Sequence, residues 1–295
     1  MLQRLLLIPL VLALGLAVAK PGVAAGLRIV SIGGAVTETL YALGYGGQIV
    51  AVDTTSLYPR EALALPKIGY MRTLAAEPIV ALSPDLVIAV SHAGPKKILD
   101  QIAAAGVPVV IISDEPTAEG VAEKIEEVAK AVGAEAKGAE LAAGIEKSFT
   151  HIEAVLAKDQ AKPSVLYILS ASDGAPLAAG QNTAADGVIA LAGGRNAIQG
   201  YEGYKPLSPE AAVTANPDFV VIAEHGLSTL GGLDGLAARS DLGLIPAIKE
   251  GRVLVLDANY LLGFGPRAAA ATAELASHLH PSLAGDLAAP DLTTP

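Results

Sequence analysis

Residues 67–88 read KIGYMRTLAAEPIVALSPDLVI, and the second half of this stretch has a partial copy at residues 210–221, EAAVTANPDFVV. In each copy a glutamate, Glu77 or Glu210, stands seven residues before a Pro-Asp step that leads into an apolar run. A Gly-Tyr pair also precedes each glutamate. An internal repeat of this kind predicts two similar lobes whose equivalent loops face each other.

Apolar strands alternate with helices on both sides of these two copies. In the first half we predict strands at 27–32, 49–52, 86–90 and 107–112, with helices at 36–43 and 96–105. In the second half we predict strands at 164–169, 219–223 and 252–256, with helices at 184–191 and 267–279. Since the strands are largely apolar rather than alternating between apolar and polar residues, the pattern predicts an α/β fold with mostly parallel sheets covered by helices.

A long helical segment, residues 117–158, separates the two halves, and Gly133 divides it into two pieces. In the second piece, apolar residues recur at spacings of three and four, which is the stripe of a helix packed on a surface. The stripe contains Leu141, Ile145, Phe149, Ile152 and Leu156. We therefore expect an N-terminal lobe (26–135), a rigid connector helix (136–160), a C-terminal lobe (161–288) and a tail (289–295). Irregular structure is expected from Pro281 onward.

Residues 1–25 have the features of a secretory signal peptide. Arg4 precedes an apolar run over residues 5–18, and small residues follow up to candidate cleavage sites after Ala19 or Ala25. An uncleaved anchor helix is the other interpretation, although the apolar run is short for a membrane span. We expect a periplasmic protein that does not insert into the membrane after cleavage.

The composition narrows the function further. The chain of 295 residues has no cysteine, so neither disulfides nor a lipidated cysteine are expected, and the core alone must stabilise the fold. Its formal net charge of −10 argues against nucleic acid or an anionic membrane as the partner. A soluble monomer is the expected form.

Two α/β lobes bind ligands in the cleft at the carboxyl ends of their strands. The chemically capable side chains on the loops predicted to reach that cleft are Tyr70, Arg72, His92, Tyr201, Tyr204, Lys205 and His225. Among them, Tyr70 and Arg72 form the strongest pair.

A phenol has a pKa of about 10 and becomes a good ligand only when a cation such as ferric iron favours the phenolate. Tyrosinate is a known axial ligand of haem iron. A half-buried tyrosine beside a solvated arginine is the alternative.

The other candidates are less specific. His92 and His225 could ligate iron or bind a carboxylate, but backbone groups could equally satisfy a histidine at a strand end, above all His92. Lys205, like Arg72, is suited to ligand carboxylates, although a plain surface lysine is an equal alternative. The remaining histidines, His151, His278 and His280, lie on or beside helices and are given no role.

Enzyme signatures are lacking in the sequence. It contains no G-x-S-x-G, no GxxxxGK[ST], no H-E-x-x-H and no cysteine nucleophile. A secreted α/β hydrolase built from scattered residues stays open as a distant alternative.

The chain resembles the periplasmic haem-binding proteins of bacterial haem ABC importers, which belong to the helix-linked (class III) substrate-binding proteins. The resemblance covers residues 27–281. It rests on RIVSIGGAVTETLYALG, KIGYMRTLAAE, AAGQNTAAD, GYEGYKPLS and LLGFGPR. The second and fourth of these favour the haem branch over the cobalamin and siderophore branches, which remain the nearer alternatives.

The resemblance implies specific roles. Tyr70 would be the axial ligand of ferric haem b, supported by Arg72. In the second lobe Tyr204, Lys205 and His225 would meet the propionates or the opposite face of the haem. Some relatives carry a histidine in the loop that is here 170–174, and its absence from this chain argues against a second protein ligand and against stacked double-haem binding.

The resemblance also assigns Glu77 and Glu210, one in each lobe, to docking onto arginines of the ABC transporter permease. Their symmetric placement in the repeat is consistent with that role. The alternative is that each is an ordinary glutamate in the first turn of a helix, where the helix dipole favours negative charge.

Overall fold

The computed structural model describes residues 26–171 and 174–287. The predicted signal peptide (1–25) and the predicted tail (289–295) lie outside the described residues. The described part of the chain forms two α/β lobes, as the alternation of apolar strands and helices predicted.

The first lobe is built on a parallel sheet with the strand order β2-β1-β3-β4. Its strands are β1 (Ile29–Ile32), β2 (Ile49–Val52), β3 (Leu86–Val90) and β4 (Val109–Ile112). Its helices are α1 (Gly34–Ala42), α2 (Ala76–Ala81) and α3 (Lys96–Ala104), with 3-10 turns at Gly46–Gln48 and Arg60–Ala64. The central strands β1 and β3 are buried along their whole length, which explains their nearly unbroken apolar sequences.

Two antiparallel helices, α4 (Ala118–Val132) and α5 (Glu135–Leu156), form a hairpin between the lobes. Gly133 ends α4 with a φ of 70°, a left-handed conformation that favours glycine and allows the sharp reversal. On α4, Val128 is buried in the core of the first lobe and Ile125 in the core of the second. The hairpin therefore belongs to both cores at once.

The apolar stripe predicted for the connector helix is confirmed on α5. Ile145, Phe149 and Ile152 are buried in the core of the second lobe. Burial of side chains of this size contributes about 1.5–3 kcal/mol each. The connector is thus a packed structural element rather than a flexible linker.

The second lobe contains a mixed sheet with the strand order β10-β9-β5-β6-β8, and β7 pairs with β5. Its strands are β5 (Ser164–Ser170), β6 (Leu177–Ala179), β7 (Arg195–Asn196), β8 (Tyr204–Pro206), β9 (Phe219–Ala223) and β10 (Val253–Leu256). Its longer helices are α6 (Ala184–Leu191), α7 (Pro209–Ala215) and α12 (Ala268–Leu279). Its shorter helices are α8 (Glu224–Ser228), α9 (Leu233–Ala238), α10 (Pro246–Lys249), α11 (Ala258–Leu262) and α13 (Ala284–Leu287), with a 3-10 turn at Pro281–Leu283.

Two features of the second lobe differ from the predictions. Strands β6 and β8 run antiparallel to their neighbours within a region interpreted as loops, because three-residue strands are too short to show a periodic pattern. The irregular structure expected from Pro281 onward is wrong for residues 281–287. Helix α13 buries Leu287 completely, and Asp286 pairs with Lys158 at 2.7 Å.

The internal repeat has a clear structural basis. Asp85, just before β3, accepts a hydrogen bond from the backbone N–H of Arg28, just before β1, at 2.8 Å. Asp218, just before β9, accepts the equivalent bond from the N–H of Ser164, the first residue of β5, at 2.7 Å. Each Pro-Asp step therefore fixes the amino-terminal edge of two neighbouring strands in its own lobe.

Over residues 26–171 and 174–287, the helices are all too short or too polar to cross a membrane.

Candidate functional site

The carboxyl ends of both sheets open into one cleft between the lobes, with a volume of about 860 Å³. This volume falls within the range of about 300–1,000 Å³ typical of small-molecule sites. Apolar side chains make up much of the wall, and a few polar groups interrupt them. The apolar lining includes Met71, Val90, Leu169, Leu262 and Phe264, and the polar lining includes Thr55, Asn182 and Asn259.

A buried carboxylate organises the first-lobe wall of this cleft. Asp53, at the end of β2, is fully buried and accepts a hydrogen bond from the N–H of Gly33 at 2.9 Å. It also accepts bonds from the N–H and the hydroxyl of Thr55, at 2.9 and 2.6 Å. Gly33 has a φ of 107°, and a Cβ there would approach Val90 to 2.7 Å, so only glycine fits.

Tyr70 stands on a turn that is fixed to two neighbouring loops. The carbonyl of Gly69 accepts a hydrogen bond from the N–H of Thr54, in the loop after β2, at 3.0 Å. The carbonyl of Met71 accepts one from the N–H of Gly94, in the loop after β3, at 2.8 Å. The backbone is thus held in place, and Tyr70, which lines the cleft, is 42% exposed.

Arg72 and Tyr204 are polar groups of the cleft that come from opposite lobes. Both side chains line it, Arg72 from the first lobe and Tyr204 from β8 of the second. Burial raises the pKa of Tyr204, and interactions with Ala185 and Thr183 and the positive charge of Arg72 offset part of that rise. The charge of Arg72, in the first lobe, thus favours the phenolate of a tyrosine in the second lobe, although burial keeps the pKa of that tyrosine above its ordinary value.

His92 and Asp114 form a second polar group in the first-lobe wall. His92, in the loop after β3, places Nδ1 at 2.8 Å from Oδ2 of Asp114, which follows β4. Both residues line the cleft, and the side chain of His92 is 37% exposed. Burial tends to raise the pKa of Asp114, but hydrogen bonds and charges from His92 and Lys124 hold it below its usual value.

Lys124 connects this group to the second lobe. Its ammonium is completely buried, pairs with Oδ1 of Asp114 and donates to the carbonyl of Phe264 at 2.9 Å. Phe264 lines the cleft and has a φ of 49°. Asp114 and Lys124 could not be identified as site residues from the sequence, because they come from different elements and share no motif.

A second ion pair joins the lobes beside the cleft. Arg267, just before α12, donates two hydrogen bonds to Glu38 of α1, and its guanidinium lies 3.7 Å from the ring centroid of Tyr58. Burial raises the pKa of Glu38, and the bonds to Arg267 offset part of that rise. Arg267 belongs to the LLGFGPR segment that carried the resemblance, but its partner could not be read from the sequence.

Of the three site residues predicted in the second lobe, two line the cleft and one does not. Tyr204 lines it, and so does His225, which lies on the short helix α8 rather than on a loop. Lys205 does not line it. Because successive side chains of a strand point to opposite faces, Lys205 of β8 points away from Tyr204, and its ammonium lies 5.3 Å from the ring of Tyr201.

Glu77 and Glu210 occupy equivalent positions. Each is the second residue of a short helix, α2 or α7, and each is exposed. In both lobes that helix precedes the strand whose edge the Pro-Asp step fixes.

A family model described as "Periplasmic binding protein" matches residues 29–260, which is most of the chain. The chain belongs to this family. Its two lobes, the helical connection between them and the cleft at their strand ends agree with the assignment.

Individual relatives narrow the class of protein. The periplasmic heme-binding protein RhuT from Roseiflexus sp. RS-1, solved in its apo form, is 39% identical, with a TM-score of 0.83 over 89% of this chain and 99% of that chain. A vitamin B12-binding protein from Vibrio parahaemolyticus is 30% identical over 85% of this chain and 88% of the relative. An uncharacterized ABC transporter substrate-binding lipoprotein, YvrC from Bacillus subtilis, is 29% identical over 86% of this chain and 80% of the relative.

The family and these relatives are substrate-binding transport proteins. The chain is therefore a substrate-binding protein of the ABC transporter type. The alternative of a secreted hydrolase gains no support from them.

Proposed function

We propose that this protein captures ferric haem in the interlobe cleft and delivers it to an ABC transporter permease. The observation that carries the proposal is the exposed phenol of Tyr70, on a turn held rigidly by its backbone, with Arg72 two residues away on the same cleft wall. A phenolate is a hard anionic ligand suited to ferric iron, and tyrosinate is a recognised axial ligand of haem. The haem is cargo in this proposal, not a resident cofactor.

The rest of the cleft suits a flat, largely apolar macrocycle with anionic side groups. Met71, Leu169, Leu262 and Phe264 supply apolar contact surface. Arg72 supplies the positive charge that stabilises the Tyr70 phenolate or pairs with a propionate.

Residues of the second lobe complete the site in this proposal. Tyr204 and His225 face the haem from the opposite wall. Lys205 has no part in it, since its side chain points away from the cleft.

Similarity to proteins of known ligand supports haem over other cargo. The chain is 39% identical to a periplasmic heme-binding protein and 30% identical to a vitamin B12-binding protein, with similar coverage of this chain. The identity to the vitamin B12-binding protein makes cobalamin the second candidate for the cargo. If cobalamin is the cargo, Tyr70 would stack on its corrin ring instead of binding a metal.

The symmetry of the two lobes supports a proposal for how the cargo is delivered. We propose that Glu77 and Glu210, exposed at equivalent helix starts, bind basic residues on the two halves of the permease. The protein acts as a periplasmic monomer after removal of a signal peptide over residues 1–25.

A competition experiment tests the cargo. Purified protein is titrated with hemin, with cyanocobalamin and with a ferric siderophore, and binding is followed by absorbance and by quenching of tyrosine fluorescence. Saturable binding of hemin that neither competitor displaces is expected. Saturable binding of cyanocobalamin with no binding of hemin would overturn the assignment in favour of the second candidate.

A further inference from the structure

We propose that Lys124 is a positioning residue of the cleft. Its buried ammonium ties a wall segment of the second lobe to a wall loop of the first, and so fixes the spacing of the two walls before cargo binds. Lys124 itself lies outside the cleft lining and acts through Asp114 and Phe264, which line it. The proposal goes beyond the proposed function, because it holds whichever cargo the cleft binds.

The burial of Lys124 is not explained by packing alone. Its neighbours on the buried face of α4 are apolar, among them Val121, Ile125 and Val128. An apolar side chain would fill the same position without taking a charge out of water, which is costly unless the charge is paired and hydrogen-bonded. The presence of a lysine that is 0% exposed is therefore explained by what its ammonium binds.

The ammonium has a partner for each of its three N–H groups. It pairs with Oδ1 of Asp114 and donates to the carbonyl oxygens of Phe264 at 2.9 Å and Gly263 at 3.5 Å. Asp114 follows β4 in the first lobe, whereas Gly263 and Phe264 lie between α11 and α12 in the second. One buried charge thus binds both walls of the cleft.

The backbone around Phe264 is held in a strained conformation. Phe264 has a φ of 49°, a left-handed conformation that is costly for a bulky residue and persists only where the surroundings hold it. The next residue, Gly265, packs so closely on the first lobe that a Cβ there would lie 3.1 Å from Cα of Ala35, which also lines the cleft. The bonds from Lys124 hold the segment in this close approach. Without them, we expect the segment to relax and the spacing of the walls to vary.

A second contact between the lobes limits the size of the effect. Arg267, three residues beyond Phe264, bonds to Glu38 of α1 in the first lobe. Since this pair is kept when Lys124 is replaced, loss of Lys124 should widen the range of distances between the lobes rather than separate them.

Double electron–electron resonance between two spin labels measures the distances between the lobes. Because the sequence has no cysteine, Lys97→Cys on α3 and Lys249→Cys on α10, both at exposed positions, can be labelled specifically. In the protein without cargo we expect one narrow distribution, and Lys124→Met should broaden it and shift it to longer distances. Lys130→Met, at an exposed lysine of the same helix, is the matched control and should leave it narrow.

Binding of hemin supplies a second readout. If Lys124→Met leaves about a tenth of the molecules in the arrangement that binds cargo, its affinity for hemin falls about 10-fold. Lys130→Met should keep the affinity of the wild type. Failure of the wild type to bind hemin would count against haem as the cargo, and the distances between the labels would still test the role of Lys124.

The distances decide the proposal. A distribution as narrow in Lys124→Met as in Lys130→Met would overturn it, even if the melting temperature falls, because a residue that only stabilises the core changes the melting temperature and not the spacing of the lobes. If Lys124→Met does not fold, Lys124→Met/Asp114→Asn replaces it, since the double variant leaves no uncompensated carboxylate. The same broadening is expected of the double variant, and a narrow distribution there would equally overturn the proposal.

Discussion

Arg267 donates two hydrogen bonds to Glu38, from Nε to Oε2 at 2.9 Å and from Nη2 to Oε1 at 2.6 Å. The pair joins the second lobe to the first. The pair is largely buried, with 25% of the arginine and 9% of the glutamate side chain exposed. The segment that ends at Arg267 also contributes Phe264 to the cleft wall. The ion pair therefore joins the two lobes close to a segment that lines the cleft.

Removing one charge of this pair should destabilise the protein. Breaking a fully buried ion pair costs about 3–5 kcal/mol, because the partner is left as an uncompensated charge. Since Arg267 is partly exposed and also contacts Tyr58, we expect Glu38→Gln to lower the free energy of unfolding by about 2 kcal/mol. Urea unfolding followed by circular dichroism measures this change.

A double-mutant cycle supplies the control. Glu38→Gln with Arg267→Met removes both charges, so the double variant should be more stable than the sum of the single effects predicts. Strict additivity of the two single changes would show that the pair does not act as a unit.

Arg72 should contribute to affinity, whereas Lys205 should not. Loss of a charge-assisted hydrogen bond costs about 1.5–3 kcal/mol, which corresponds to about a 10- to 100-fold weaker binding of hemin by Arg72→Ala. Lys205→Ala removes an equal charge from a side chain that points away from the cleft, so its affinity should change less than about 3-fold. Equal losses in the two variants would mean that net charge, not the position of Arg72, governs binding.

Charge reversal at both docking glutamates should separate capture from delivery. Glu77→Lys/Glu210→Lys is expected to bind hemin as tightly as the wild type, because both residues lie outside the cleft lining. Uptake into proteoliposomes that contain the cognate transporter should be lost. The control is Glu146→Lys/Glu153→Lys, which makes the same change in charge on exposed positions of α5. Equal uptake by the two double variants would contradict the docking role.

Asp218, in the second Pro-Asp step of the repeat, should contribute to the free energy of unfolding in a way that depends on pH. The hydrogen bond from the Ser164 backbone holds the pKa of Asp218 below its usual value. A carboxyl with a lowered pKa in the folded state stabilises the protein above its unfolded pKa of about 4, and this contribution is lost as the pH falls through the folded pKa.

We therefore expect Asp218→Asn to lower the free energy of unfolding by about 1 kcal/mol at neutral pH. This value is at the low end for a hydrogen bond to a charged group, because Asp218 is exposed. The cost should shrink below about pH 4. Asp100→Asn, which removes a charge from an exposed pair with Lys96, should cost less than about 0.5 kcal/mol. A cost of Asp218→Asn that does not change with pH would refute this account.

Local pattern was enough to predict the lobes. Continuous apolar strands, the stripe on α5 and the repeated Pro-Asp step each reflect contacts within one element or one lobe, and each is visible in a short window of sequence. Tyr70, Arg72 and His225 follow parallel strands, whose carboxyl ends meet at the cleft. Tyr204 lines the cleft from the first residue of β8, in the antiparallel part of the second sheet.

The contacts that link the lobes could not be predicted in this way. Glu38 and Arg267 are 229 residues apart, and Lys124 reaches Phe264 across 140 residues, so no periodicity relates them. Lys205 was placed in the site because β8 was interpreted as a loop, and only the strand assignment shows that its side chain alternates away from Tyr204.

The most direct test of the central claim is the absorbance spectrum of the hemin complex of Tyr70→Phe beside that of the wild type. Phenylalanine keeps the ring and removes only the oxygen that would bind iron. We predict a ferric tyrosinate charge-transfer band in the wild type that is lost in Tyr70→Phe, together with about a 100-fold or greater loss of affinity if the bond is worth about 3 kcal/mol or more. A Tyr70→Phe complex with an unchanged spectrum and unchanged affinity would contradict the claim that Tyr70 binds the haem iron.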